Sequence, residues 1–283
     1  MCVQYSEGLP GVIIDEALEK IHVDTSGEQY LASLEGAYEH YLAQDADYFA
    51  LGRDYSAGFH EFTSGDYLSA GVRYVKGQIV GPISFGFTVV DQNKRAVIYN
   101  REFCDCLIKA LAMKSLWQIK KLKSAYPEAK VIIFIDEPYL SSLGSSYFNI
   151  NSEEVTRMLN EVIQAIHKEG ACAGVHCCGN TDWPVILNTD TDVLSFDAYN
   201  YADTLLIYRK ELEDFRKRGA SLAWGIVPTC ADTELPSQDV LLKKIGLLKE
   251  FSLISPSCGL SGVSPLRAQD VLGLTAKIAE TVT

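Results

Sequence analysis

The sequence predicts an α/β fold, a TIM-type (β/α)8 barrel that lacks its first strand. Three observations predict it. Short apolar runs alternate with longer amphipathic stretches, the runs are apolar on both faces, and most end in small, polar or metal-capable residues. A run that is apolar on both faces belongs to a parallel sheet, whose crossover helices bury both sides. Chemically unusual residues at the C-terminal ends of strands mark a barrel, which carries its active site there.

Taken in order, the strand-like runs are residues 47–52, 74–80, 130–136, 171–176, 193–197, 221–227 and 251–255. Helical spacing covers residues 26–44, 101–123, 152–169, 204–218, 237–249 and 265–281. Seven strands leave the barrel one short. The missing strand would precede residue 47, but residues 11–16 follow Gly8-Leu9-Pro10 and read as a hairpin or loop segment. No Pro/Ser-rich linker, internal repeat or low-complexity tract divides the chain, so residues 1–283 are expected to form one domain. The strand ends carry Gly81-Pro82, Asp136-Glu137-Pro138, His176-Cys177-Cys178-Gly179, Asp197, Pro228-Thr229 and Pro256-Ser257-Cys258-Gly259.

Composition narrows the functional classes. The 25 Lys and Arg against 37 Asp and Glu give a formal charge of −12, which excludes a binder that tracks nucleic-acid phosphates. At 47% hydrophobic and 22% charged residues the chain lies far from the disordered regime. No apolar run approaches the roughly 20 residues of a membrane span, and Met1-Cys2-Val3-Gln4-Tyr5 is no signal peptide. A cytoplasmic protein without a membrane partner is expected. Its eight cysteines then read as packing residues, metal ligands or reactive thiols rather than disulfides. Cys104 and Cys106, two apart on a helical stretch, do not share a face and read as filler.

His176 and Cys178 end a buried run. On an extended backbone, positions i and i+2 point to one face, so both would project into the barrel mouth while Cys177 faces away. An imidazole and a thiolate on one face are half a zinc site. Cys258 ends the last strand, and Asp197 ends the strand after His176 and offers an oxygen. On the residues alone, a metal site and a core histidine with packing cysteines both remain open.

Five motifs in order resemble one family: Val75-Lys76-Gly77-Gln78-Ile79-Val80-Gly81-Pro82, Ile135-Asp136-Glu137-Pro138, His176-x-Cys178, Ser195-Phe196-Asp197 and Pro256-Ser257-Cys258-Gly259-Leu260. Together they resemble the catalytic barrel of cobalamin-independent methionine synthase. That barrel shares a superfamily with uroporphyrinogen decarboxylase and the corrinoid-dependent methyltransferases. His176-Cys177-Cys178-Gly179-Asn180 is closer to the corrinoid-linked branch. The resemblance implies zinc held by His176, Cys178 and Cys258, with Asp197 where the family has a longer Glu. It implies methyl transfer to a zinc-activated thiol, with Asp136 gripping the amino group of homocysteine and Ser84 and Phe85 lining the pocket.

Departures shape the remaining expectations. The folate-dependent synthase has a second, N-terminal barrel without counterpart here, so a methylated corrinoid such as methylcobalamin, carried on a separate corrinoid protein, is the expected donor. The family's first strand and its Gly-Ser turn are also expected to be missing. Gln4 stands near a family Glu that contacts the amino acid, and Glu7 is the residue placed to compensate. Two alternatives stand beside this reading: a non-catalytic barrel that binds a corrinoid or corrinoid protein, and a metal-free decarboxylase. The decarboxylase lacks support because no Arg-rich N-terminal motif is present.

Overall fold

Continuous apolar runs become strands wherever the flanking residues allow a ladder. In the computed structural model, which describes residues 1–18, 20–65, 67, 71–145, 149–230, 234–245 and 253–282, six of the seven expected runs are strands. The strands in chain order are β1 Val12–Asp15, β2 Lys20–Val23, β3 Tyr74–Val80, β4 Val90–Asp91, β5 Lys130–Asp136, β6 Cys172–Cys177, β7 Val193–Phe196, β8 Ser221–Val227 and β9 Leu253–Pro256. The chain divides into two compact units, one of Met1–Tyr139 with Ile150–Gly174 and one of Leu140–Asn149 with Val175–Thr283. The division falls within β6.

In the first unit the strand order is β3-β5-β6, with β3 and β5 parallel in the register Gly77↔Ile133. A separate small sheet, β1-β2-β4, holds the hairpin expected at residues 11–16: β1 and β2 pair antiparallel, Val12 opposite Val23. The helix Arg101–Ala125 contributes Phe103, Leu107, Leu111, Trp117 and Leu122 to the core. Its start is fixed by Asn100, whose side-chain oxygen accepts from the Phe103 N–H at 3.0 Å. Asn151 caps the helix Ser152–Lys168 in the same way, accepting from the Glu154 N–H at 2.8 Å. That helix buries Val155, Leu159, Val162 and Ile166, a stripe of period 3.6.

In the second unit the order is β6-β7-β8-β9, with β7–β8 and β8–β9 parallel. Phe196 and Trp224, opposite one another in register, meet edge to face at 5.0 Å between centroids. Trp183 adds a third ring, 5.5 Å from Phe196, and its indole N–H donates to Thr204 at 3.1 Å. A second cluster packs Ile226, Val227, Leu241, Ile245, Val271 and Ile278. The helical stretch expected at 204–218 is two helices, Ala198–Leu205 and Arg209–Lys217. The break comes where the Tyr208 N–H turns back to the Leu205 carbonyl. Residues 246–252, which include parts of an expected helix and of an expected strand, lie outside the described residues.

One expectation needs correction: residues 47–52 form turns rather than a strand, and the described residues show an α/β fold without a full barrel. The backbone groups of residues 47–52 are satisfied by turns and side chains instead of a neighbouring ladder. The Ala50 N–H donates to the Asp47 carbonyl, the Phe49 carbonyl accepts from Lys114 Nζ at 3.4 Å, the Leu51 carbonyl bonds His60, and the Gly52 N–H donates to Glu7 at 2.7 Å.

Lys114 is the unusual member of this set. It is fully buried, and its ammonium also donates to the Glu7 carbonyl at 2.6 Å. Burial lowers its pKa from 10.5 to about 8, the negative charge of Glu7 opposing the shift. The folded chain therefore sheds this proton near pH 8 and the unfolded chain near 10.5, so stability from this group rises with pH across that window. Urea unfolding at both ends should show wild type gaining about 3 kcal/mol over Lys114→Met between them. A constant difference would show that the buried charge is not felt.

Candidate metal centre

The inward alternation of β6 and β7 builds the centre. His176 lies near the end of β6, and Cys178 follows it by two residues. Cys258 follows β9 by two. The ligand atoms of His176, Cys178 and Cys258 all lie within 4.8 Å of one another. Zinc holds sulfur at about 2.3 Å and nitrogen at about 2.0 Å, which puts tetrahedral ligands roughly 3.5 Å apart. A small closing movement would bring the three side chains around one ion.

The histidine is already oriented for that role. Its Nδ1 lies 3.0 Å from Ser195 Oγ on β7, while its buried Nε2 has no hydrogen-bond partner of good geometry among the described residues. A buried nitrogen without a partner is costly, and a metal ion would satisfy it. Ser195 stood in one of the motifs without a role. Its signal was the two-residue alternation that sets it on one face with Asp197. Outer partners of this kind typically govern metal affinity by about 10- to 100-fold, and Ser195→Ala should weaken zinc by that range in a chelator competition. Unchanged affinity would show that the ring is oriented by other contacts.

The two sulfurs act as a pair. The Cys258 thiol is drawn well below the ordinary thiol range, chiefly by the hydrogen bond from Cys178 and next by the His176 imidazole, against the upward pull of burial. Cys178 moves up in response, because it holds the proton donated to Cys258. The pair thus favours one thiolate facing the imidazole, which is the donor chemistry of a zinc site. Cys258 and the glycine after it are exposed, Cys178 half-buried. Cys177 is fully buried and its thiol donates to the Gly179 carbonyl at 3.5 Å, so it faces away as alternation requires.

Asp197 is not one of the three converging groups. It caps the helix Ala198–Leu205: one oxygen accepts from the Asn200 N–H at 3.0 Å and the other from the Asn200 side chain at 2.7 Å. Burial raises its pKa while these bonds lower it. Gly225 on β8 keeps this region together. A Cβ there would lie 2.4 Å from the Phe196 carbonyl oxygen and 2.7 Å from Ser257 Cα, beside the chain leading to Asp197 and Cys258.

The other site residues expected from the sequence lie in the first unit. Asp136 ends β5, half-buried, with its backbone carbonyl accepting from the Gly81 N–H. Ser84 is 3% exposed, and its hydroxyl donates to Glu137 at 2.6 Å. Phe85 is fully buried and stacks on Phe103. Glu7 is held by the Gly52 N–H, and Gln4 lines a cleft beside β3. Glu137, quoted only as the neighbour of Asp136, is the residue that reasoning from sequence missed. Its fully buried carboxylate gathers the Ile83 and Ser84 N–H groups at 3.0 and 2.8 Å as well as the Ser84 hydroxyl. Gly81 makes this possible, because a Cβ there would sit 2.0 Å from Glu137 Oε1.

Fold and site together describe an α/β protein with a histidine–dithiol cluster at the ends of parallel strands. The fold is similar to that of a B12-independent methionine synthase from Shewanella sp. W3-18-1 in complex with selenomethionine. The TM-score is 0.51 at 19% identity, over 73% of this chain and 61% of that one. It is also similar to a putative vitamin-B12-independent methionine synthase from Listeria monocytogenes, with TM-score 0.52 at 16% identity over 80% of this chain and 69% of that one. The chain thus spans about three fifths of the Shewanella protein. No protein-family model and no curated protein sequence matches. The likeness is one of fold, and it falls on the family that the sequence motifs resemble. No helix among the described residues is long and apolar enough to cross a membrane.

Proposed function

We propose that the chain is a zinc-dependent methyltransferase that moves a methyl group from a methylated corrinoid to a thiol, homocysteine being the acceptor favoured by the resemblance. One observation carries this reading: His176, Cys178 and Cys258 bring one nitrogen and two sulfurs together while His176 Nε2 has no other partner. A zinc ion bound there would lower the pKa of an incoming thiol so that it reacts as the thiolate. Ser195 at Nδ1 would hold the imidazole with Nε2 left as the nitrogen for the metal. Three protein ligands leave a fourth position for substrate, as catalytic zinc sites do. Asp197 is the oxygen ligand that would close the site between turnovers, on release from Asn200. The exposed Cys258 side admits a bulky donor.

The test has two parts on the full chain. Metal analysis of the purified protein should return about one zinc per chain. Methylcobalamin with homocysteine should then yield methionine, and cobalamin should accumulate in step with it. Protein without zinc removes the reading. Protein with zinc but no methyl transfer from methylcobalamin to homocysteine or to coenzyme M favours the non-catalytic, corrinoid-binding alternative.

A further inference from the structure

The first unit contains a cleft of about 450 Å³ between β3 and the helix Arg53–Ser64. It is separate from the histidine–dithiol cluster in its residues: Gln4, Tyr55, Ser56, Phe59, Lys76 and Gln78 supply its polar and aromatic wall. Lys76 is the one cation among the lining residues, and no carboxylate is among them. Asp136 acts on Lys76 electrostatically but is not part of the lining. In a chain of charge −12, a cationic cleft without acids is a selective feature.

The hydrogen-bond inventory shows which groups remain for a ligand. Lys76 Nζ donates one N–H to Gln78 Oε1 at 2.8 Å and keeps two. The side chains of Gln4, Tyr55 and Ser56 have no hydrogen-bond partner among the described residues. Ser56 is the informative one, because it is only 6% exposed and still lines the cleft. Its backbone, at φ −147 and ψ 46, interrupts the helix, so residues 57–64 begin a second helical segment with Ser56 in the capping position. The first N–H groups of a helix lack partners of their own and attract anions. Ala57 and Gly58, the first residues after the break, line the cleft, and a Cβ at Gly58 would meet nothing within 4 Å. The space beside Gly58 leaves the break open to close approach by a ligand.

One helix supplies the aromatic part of the wall. Phe59 is held against Trp117 at 5.2 Å between centroids, and Tyr55 and Phe62 stand on the same helix. The volume is that of an ordinary small-molecule site, for which a few polar groups set orientation and apolar rings supply area.

We propose that this cleft binds a small organic anion, its phosphate or carboxylate held by Lys76 and Ser56 at the break in the helix, and its flat apolar body resting on Tyr55 and Phe59. Isothermal titration of the full chain with phenyl phosphate, benzoate, inorganic phosphate and phenol tests it. Phenyl phosphate or benzoate should bind saturably at one site, about tenfold tighter than inorganic phosphate or phenol, and the tighter of the two identifies the anion. Lys76→Met should weaken that binding about tenfold and Lys76→Arg should restore most of it, with zinc content unchanged in both. Ser56→Ala should weaken it less, and circular dichroism checks that each variant is folded. The proposal is overturned if neither aromatic anion saturates, if phenol binds as tightly as the anions, or if Lys76→Met binds them as wild type does. The two Lys76 variants carry the test if Ser56→Ala does not fold.

Discussion

Replacing Cys178 with alanine is expected to lower zinc affinity by at least about a hundredfold, so that the variant is purified without stoichiometric metal. The expectation follows from ligand number. With Cys178 gone, one imidazole and one exposed thiol remain of the three groups that converge within 4.8 Å. Asp197 is a poor substitute while both its oxygens are engaged by Asn200. The adjacent Cys177 is the internal control, since its buried thiol faces the Gly179 carbonyl. Cys177→Ala should retain zinc and methyl transfer, whereas Cys178→Ala should lose both. If Cys178→Ala holds zinc as tightly as wild type, the metal site lies elsewhere and the proposed reaction has no basis.

Glu137→Ala should destabilise the chain by about 3–5 kcal/mol, enough to unfold a marginally stable protein. Three donors now share its carboxylate: the Ile83 N–H, the Ser84 N–H and the Ser84 hydroxyl. Alanine would leave them buried without an acceptor and open a cavity under Gly81. The residue also titrates. Burial raises its pKa from 4.5 to about 7, although the three hydrogen bonds favour the charged form. A carboxyl whose folded pKa is raised contributes stability that is full below pH 4.5 and lost as pH rises through 7. Wild type should therefore lose about 3 kcal/mol relative to Glu137→Gln between those limits, measured by urea unfolding. A difference that grows with pH would mean that hydrogen bonding outweighs burial at this carboxyl.

These two residues also show how much of the molecule could be read beforehand. β5 and β8 match their apolar runs, because strands buried on both faces leave an uninterrupted signal, and β3 matches through its alternately buried Val75, Gly77 and Ile79. His176 and Cys178 were legible through two-residue alternation, and Cys258 through its place after a strand and the family resemblance. Residues 47–52 carried the same apolar signal and formed turns. Their hydrogen-bond partners Lys114, His60 and Glu7 come from three separate parts of the chain, and no local pattern encodes them. The engagement of Asp197 with Asn200 was hidden for a different reason. A residue that ends a strand can present a ligand or cap the next helix, and the sequence reads alike in both cases.

Gln118 has a consequence that reaches beyond the folded chain. Its side-chain oxygen accepts from the Gln78 N–H at 3.2 Å and its NH2 donates to the Gln78 carbonyl at 2.8 Å, while the Tyr5 hydroxyl also reaches that carbonyl. Gly77 leaves room for it, since a Cβ there would press on the amide oxygen at 2.8 Å. Among the described residues β3 pairs only with β5, so its far side is a template on which another extended chain can grow. One amide group imitates a pairing strand and closes that template at its middle. Gln118→Leu keeps the bulk and removes the imitation. Light scattering should then report concentration-dependent association that wild type lacks.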